Sequence, residues 1–446
     1  MSQDRSNRRD FLRQAAGTAL AGATAPYVWT SSRARAESAN DRLNVAAIGC
    51  GGRGSAVGHQ AGARGNMVAC CDVDSQRAAQ FANRYENRCQ TCIDYRAVLE
   101  RKDVDLVTIG TPDHWHTKIA IEAMQSGKDV YCEKPLTLTI EESRQICRAV
   151  EATGKVFQVG TQQRSEYDAV FLKAVVLART GRLGEKLHAL SSVGTARSGG
   201  PFATSAPPEH LDWDLWLGQA PKVEYCEKRA HYEFRWWLEY SGGQVTDWGV
   251  HHTDIALWAL GGEKTGPVEI EGKGEFPLGT EGVLEMLAGK KPAVEPNAYN
   301  VAHKFDCDMT LPNGNTIKLL SGPNELIVEG DRGKIRVNRG GLSGKPVEDL
   351  SDADKKWLDD EVVKLYRGKK PGSHMADFFE CVKDRSLPVS DVFTHAASVN
   401  ACHMANIAML LGRKLRWNPD TYEFVDDDEA NALKRRKQRE PYGITV

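Results

Sequence analysis

The sequence has no excess of either charge: 58 lysines and arginines stand against 60 aspartates and glutamates, intermixed along the chain. That balance leaves no global field for drawing in nucleic acid or an anionic membrane surface, and it points to a small partner. An even cysteine framework is also missing. The eleven cysteines are an odd number, scattered, and only Cys89 and Cys92 form a C-x-x-C pair. Without a second pair or a nearby histidine couple this makes a poor zinc site, so no metal is expected. The thiols read as buried or surface groups, with a local disulfide as the alternative. No internal repeat is apparent. The weakly apolar run from Ala15 to Val28 is shorter than the ~20 residues a membrane span needs and contains Pro26, and no later segment reads as transmembrane.

With 446 residues, 41% of them hydrophobic, the chain is long enough for two ordinary globular domains. Residues 1–36 are set apart from them. Arg8-Arg9, then Phe11-Leu12, the apolar run and Ala34-Arg35-Ala36 as a cleavage site read as a twin-arginine signal. This predicts an exported, periplasmic protein with no membrane span once the signal is removed.

Leu43 to Ile48 is a short apolar run leading into Gly49-Cys50-Gly51-Gly52-Arg53-Gly54, a G-x-G-x-x-G turn after a predicted strand. The first glycine permits the tight turn, the second lets backbone approach a pyrophosphate, and the third allows close helix–strand packing. The phosphate then sits at a helix N-terminus, where free N–H groups and the dipole favour negative charge. A second strand, Asn66 to Cys71, ends in Asp72, placed to bond the adenosine ribose hydroxyls. An acid there favours NAD and disfavours the 2′-phosphate of NADP. Helical spacing over Ser75 to Tyr85, a strand at Leu106 to Gly110, a helix from about His116 to Ser126 and a strand at Asp129 to Cys132 continue the alternation. The rhythm predicts an α/β protein whose first domain, 41–160, is a Rossmann doubly wound parallel sheet. Ligands bind beyond the carboxyl ends of such strands. Thr111-Pro112-Asp113-His114-Trp115-His116 and Glu133-Lys134-Pro135 lie at such ends, and Thr139 with Glu142 forms a capping box for the next helix.

A third motif runs from Gly242 to Asp254. Asp247, His251, Asp254 and Trp258 follow helical spacing and would share one face. An aspartate one turn from a histidine can orient it for proton transfer. Before it, Trp213 to Tyr240 concentrates aromatics, Trp236 among them, that either stack on sugar rings or build core. His252 either lines the pocket or packs. Period-two patterning at Phe305, Cys307, Met309 and Leu311, a Pro312-Asn313-Gly314 turn and strands near Leu326 and Ile335 predict a second domain over 161–420. It is α+β, with a large, mostly antiparallel open sheet. One face of that sheet would cover the cleft and the other would serve oligomer contacts. The loop Ser198 to Pro208 is placed at the pocket border, and 421–446 reads as a charged, solvated tail.

The Gly-rich turn, Thr111-Pro112 with His116, Glu133-Lys134-Pro135 and the Asp247-x-x-x-His251 element together resemble the glucose-fructose oxidoreductase, inositol dehydrogenase and MocA family over residues 42–420. The resemblance implies an NAD(P)-dependent oxidoreductase acting on a sugar or polyol, as a dimer or tetramer. It implies that Gly49, Gly51, Gly52, Arg53, Gly54, Asp72, Thr111, Pro112, His116, Glu133, Lys134 and Gln163 hold the cofactor. Lys134, Arg164, Trp236, Asp247, His251 and His252 would meet substrate. His251 would be the general base on a hydroxyl, Lys134 and Asp247 would orient it, and the neighbouring carbon would give its hydride to the nicotinamide. Helices His374 to Asp384 and His395 to Leu411 would pack back on the first domain. Export further predicts a tightly held NAD, reduced by one substrate and reoxidised by another. The competing readings are a glycosidase that uses NAD transiently, as in an N-acetylgalactosaminidase branch, and a non-catalytic relative. Retention of Lys134, Asp247 and His251 together argues against the second.

Overall fold

The structure, a computed structural model, describes residues 42–445, so the signal expected over 1–36 lies outside the described residues. From Asn44 onward the chain groups as one unit carrying two sheets. The first is built from β1 (Asn44–Ile48), β2 (Asn66–Cys71), β3 (Gln90–Cys92), β4 (Leu106–Ile109), β5 (Asp129–Glu133) and β6 (Phe157–Gly160), in the order β3-β2-β1-β4-β5-β6. Every pairing in it is parallel. The apolar runs of β1 and β4 are buried throughout except at Asn44, as strands covered on both faces must be. The strand order reverses at β1–β4, the crevice where such sheets bind nucleotides.

Four helices frame this sheet: α1 (Gly52–Arg64), α2 (Ser75–Ala82), α3 (Asp113–Gln125) and α4 (Ile140–Thr153). α3 begins at Asp113, a turn before the expected start near His116. Its first turn carries His114 and Trp115, and both ring N–H edges meet the Trp216 carbonyl at 3.0 Å. At α4 only half of the expected capping box forms. The Thr139 hydroxyl accepts the Glu142 N–H at 3.2 Å, while the Glu142 carboxylate takes the Leu138 N–H and the Thr117 hydroxyl instead.

The second sheet holds β7 (His188–Val193), β8 (Glu269–Glu275), β9 (Lys304–Thr310), β10 (Thr316–Ser321), β11 (Glu325–Gly330), β12 (Gly333–Asn338), β13 (Gly341–Ser343), β14 (Leu415–Asn418) and β15 (Glu423–Phe424). Their order is β13-β12-β11-β7-β10-β9-β8-β14-β15, with the β7–β10 pairing parallel and the others antiparallel. Phe305, Cys307 and Met309 all point into the core, so the period-two reading of β9 holds.

Five further helices matter to the site: α5 (Val170–Arg179), α6 (Gln244–Asp247), α7 (Gly249–Leu260), α8 (His374–Asp384) and α9 (Val392–Leu411). α9 starts at Val392 because the Asp391 carboxylate caps the Phe393 and Thr394 N–H groups, both at 2.9 Å. α8 packs on α1 and β6, and α9 packs on α4 and β6 as well as on β8 and α7, which joins the sheets through one helix.

Residues beyond 420 depart from the solvated tail expected of them. Phe424 and Ala430 are buried, the Arg436 guanidinium donates to the Leu238 carbonyl, and Arg439 reaches the Gly218 carbonyl at 3.0 Å and Asp214 at 2.8 Å. Charge counting missed this because several of these charges meet fixed partners. The loop Ser198 to Pro208 also differs from expectation. Phe202 turns inward against Trp237 and Tyr299, and the loop contributes nothing to the cleft wall.

Candidate active site

A cleft of about 470 Å³ opens at the carboxyl ends of β1, β2, β4 and β5. At one end, Gly49 takes a left-handed φ of 85°. A Cβ on Gly54 would come within 2.1 Å of the Gly49 carbonyl oxygen, and one on Gly49 within 2.7 Å of the Gly110 backbone, so the turn tolerates no side chain at either place. Gly51 caps α1 with no side-chain hydrogen bond, so the first-turn N–H groups remain available to an anion. Asp72 closes this end, accepting the Cys50 N–H at 2.7 Å and the Asp74 N–H at 2.9 Å. The Thr111 hydroxyl lines the cleft, buried and without a hydrogen-bond partner. An uncapped helix start, an acid at the end of β2 and an orphaned hydroxyl fit a dinucleotide.

Gly49, Gly51, Gly52, Arg53, Asp72, Thr111, Pro112, His116, Glu133, Lys134, Asp247 and His251 all line this one cleft. Gly54 stands behind it as packing. Arg53 and Glu133 are bound to each other at 2.9 Å, and Gln162 adds a bond to the same carboxylate oxygen at 3.0 Å. The His116 ring nitrogens face the Pro135 carbonyl at 2.7 Å and the Thr111 carbonyl at 2.9 Å. That histidine therefore ties the loop after β4 to the loop after β5.

Four expected site residues lie elsewhere. Arg164 is buried in a bidentate pair with Asp254, both contacts at 2.7 Å, and stacks over Trp258 at 4.9 Å. Asp254 and Trp258, on the same face of α7 as His251, are thus spoken for structurally. Gln163 is fully buried outside the cleft wall, and its neighbour Gln162 takes the position. Trp236 packs in the aromatic core, whereas Trp216, Tyr232 and Phe234 face the cleft. His252 bonds the Asn324 side chain at 2.6 Å and packs, its pKa held down at about 4 by burial.

The expected Asp247–His251 hydrogen bond is replaced by another arrangement. The helix breaks at Trp248, and the Asp247 carboxylate turns to the Lys134 Nζ and to Arg235, the latter at 3.4 Å. Lys134 also donates to the Asp247 carbonyl at 3.1 Å. Burial raises the Asp247 pKa, but Lys134 and Arg235 outweigh it and hold the carboxylate below its ordinary range. His251 is pushed well below its ordinary value, by burial first and then by Lys134 and Arg339. Its imidazole is therefore neutral at pH 7. Nδ1 is buried with no partner, and Nε2 lies 3.3 Å from Arg339.

Three groups escaped sequence reasoning. Asp113, buried in the cleft wall and bonded by the Ser241 hydroxyl at 2.6 Å, has its pKa raised by burial to about 7. From sequence it falls in the segment after β4, before the helix expected from about His116, and nothing there gives it a role of its own. Arg235 was hidden among aromatics. Arg339 lies nearly ninety residues from His251 in sequence, and no local pattern links them.

Two family models match the chain, one for an oxidoreductase NAD-binding Rossmann fold over residues 43–161 and one for the oxidoreductase C-terminal alpha/beta domain over 200–276 and 345–444. The chain belongs to the Gfo/Idh/MocA oxidoreductase family. Among its relatives is a glycosyl hydrolase family 109 protein of Shewanella sp. (strain W3-18-1), 33% identical over 209 residues, which are 41% of this chain and 44% of the relative. An alpha-N-acetylgalactosaminidase of Shewanella oneidensis is 40% identical over 96 residues, 22% of this chain and 20% of that protein. These matches span less than half the length of the relatives. The WlbA dehydrogenase of Bordetella pertussis, solved with NADH and UDP-GlcNAcA, shares the fold at a TM-score of 0.60 and 18% identity, over 84% of this chain and 98% of that one.

Proposed function

We propose that this family member is an NAD-dependent oxidoreductase acting on a secondary hydroxyl or ketone of a sugar, polyol or sugar derivative. The carrying observation is the convergence of Lys134, Asp247 and the neutral His251 at one end of a cleft whose other end is the Gly49–Asp72 nucleotide cradle. NAD, when bound, supplies the two-electron acceptor. Gly51 and Gly52 would receive its pyrophosphate, and Asp72 its ribose hydroxyls. Asp247 holds the Lys134 ammonium in place, and that ammonium polarises the substrate oxygen. His251, neutral at pH 7, takes the hydroxyl proton. Asp72 favours NAD over NADP, although Arg77 lines the cleft close by.

The cofactor stays with the protein, the protein works in the periplasm after twin-arginine export, and it assembles as a homo-oligomer. Protein from the cell envelope should carry nicotinamide after extensive desalting, show absorbance changes at 340 nm with some sugars, and elute above monomer size. Lys134→Ala and His251→Ala should each lower turnover by ~10²- to 10⁴-fold. A cofactor-free preparation that is still active would refute the proposal. A second reading is favoured by the family 109 relatives: a glycosidase that uses bound NAD transiently. It predicts cleavage of an aryl N-acetylgalactosaminide with no net change at 340 nm.

A further inference from the structure

Five side chains that line the cleft are lysines or arginines. Arg53 is matched by Glu133, Arg77 by Asp74, and Lys134 and Arg235 by Asp247. Among the described residues Arg339 is the cleft cation with no carboxylate in ion-pair range. It stands at the tip of the β12–β13 hairpin, where the Asn338 side chain accepts the Gly340 N–H at 2.8 Å and fixes the turn.

Its guanidinium packs against two rings, 4.5 Å from the centre of Trp248 and 4.9 Å from that of Tyr167. Tyr167 belongs to Tyr167-Asp168-Ala169, three consecutive non-glycine residues at φ of 60°, 50° and 56°. Backbone held in that sparsely populated region needs support from its surroundings, and such segments cluster at ligand clamps. One guanidinium edge meets His251 Nε2, while Nε is buried with no acceptor at all. A planar donor fork packed against two aromatic rings beside the proposed base, with no carboxylate partner, suits an anion.

We infer that the substrate carries an anionic group, a carboxylate or a phosphate, which Arg339 receives while His251 and Lys134 face the reacting hydroxyl. The inference rests on the oxidoreductase reading for the hydroxyl but not for the anion. It makes Arg339 the residue that separates sugar acids or sugar phosphates from neutral sugars.

The test uses the protein as purified with its bound cofactor. Galacturonate, glucose 6-phosphate and galactose are titrated while tryptophan fluorescence reports binding, since Trp216 and Trp248 line the cleft, and absorbance at 340 nm reports redox change. At least one anionic ligand should bind ~10-fold or more tightly than galactose, and which one identifies carboxylate or phosphate. R339Q should weaken that ligand by ~10- to 100-fold, the scale of losing a charge-assisted fork, and R339K should recover part of it. Rising salt should erode the anion preference of the unmodified protein, a readout that needs no variant to fold. Equal binding of galactose and both anions, or an equal loss of all ligands in R339Q, would overturn the inference. A preserved anion preference with no absorbance change for any ligand would instead count against the oxidoreductase reading and leave the anion site standing.

Discussion

Two buried carboxylates near the cleft have opposite fates. Asp254 sits between Arg164 and His395 with its charge compensated. Removing one partner of such a pair strands the other, so Arg164→Ala should cost about 3–5 kcal/mol in urea unfolding. Were Arg164 a substrate ligand instead, KM would change with little loss of stability. Asp113 has only the Ser241 hydroxyl as a bonded partner, and burial holds its pKa at about 7. An unfolded chain releases that proton near the ordinary carboxylate value, so the folded state binds more protons in between. Stability at this group is therefore lost as pH rises from about 4 to 7. Asp113→Asn should flatten that slope and raise stability at pH 8 by on the order of a few kcal/mol. An unchanged slope in denaturant melts at pH 5 and pH 8 would refute it. Sequence could name Lys134, Asp247 and His251 because motif spacing carries them. It could not say that Asp247 would turn to Lys134, since a break at Trp248 reads like any other helical residue.

At the scale of elements, the βαβ alternation was legible because parallel strands buried on both faces are apolar runs, and the glycine turn because only glycine fits there. Gly54→Ala drives a Cβ into the Gly49 carbonyl, while Gly52→Ala meets nothing within 4 Å. The first should lower the melting temperature by several degrees, on the order of 1–3 kcal/mol, and abolish cofactor retention. The second should melt like the parent, and equal melting of the two variants would deny the packing role. Less legible was anything that depends on long-range acceptors. Residues beyond 420 looked solvated until Arg436 and Arg439 met the Leu238 and Gly218 carbonyls. Arg164 looked like a cleft residue until Asp254 claimed it. Charge and aromatic content say which groups want partners, but only the fold says which partners arrive.

Across the whole molecule, buried histidines set the acid limit. His114 and His403 are held at about 3, and His252 and His374 at about 4, in each case chiefly by burial. In the unfolded chain they take protons near pH 6.5. Stability is thus fully present above about 6.5 and lost as pH falls toward 4. Asp113 and Glu142, both raised to about 7, push the other way but are fewer. The urea midpoint should fall measurably from pH 7 to pH 5, and a midpoint that holds or rises would mean the carboxyls dominate.

The cleft also has a history in time. Its nucleotide end is drawn from one contiguous stretch, Gly49 to Glu133. Its proton-handling end needs Lys134 to meet Asp247 across 113 residues and Arg339 to meet His251 across 88. Chains are made from the N-terminus, and domains generally fold as units in that order. A newly made chain therefore acquires its nucleotide pocket before it acquires its chemistry.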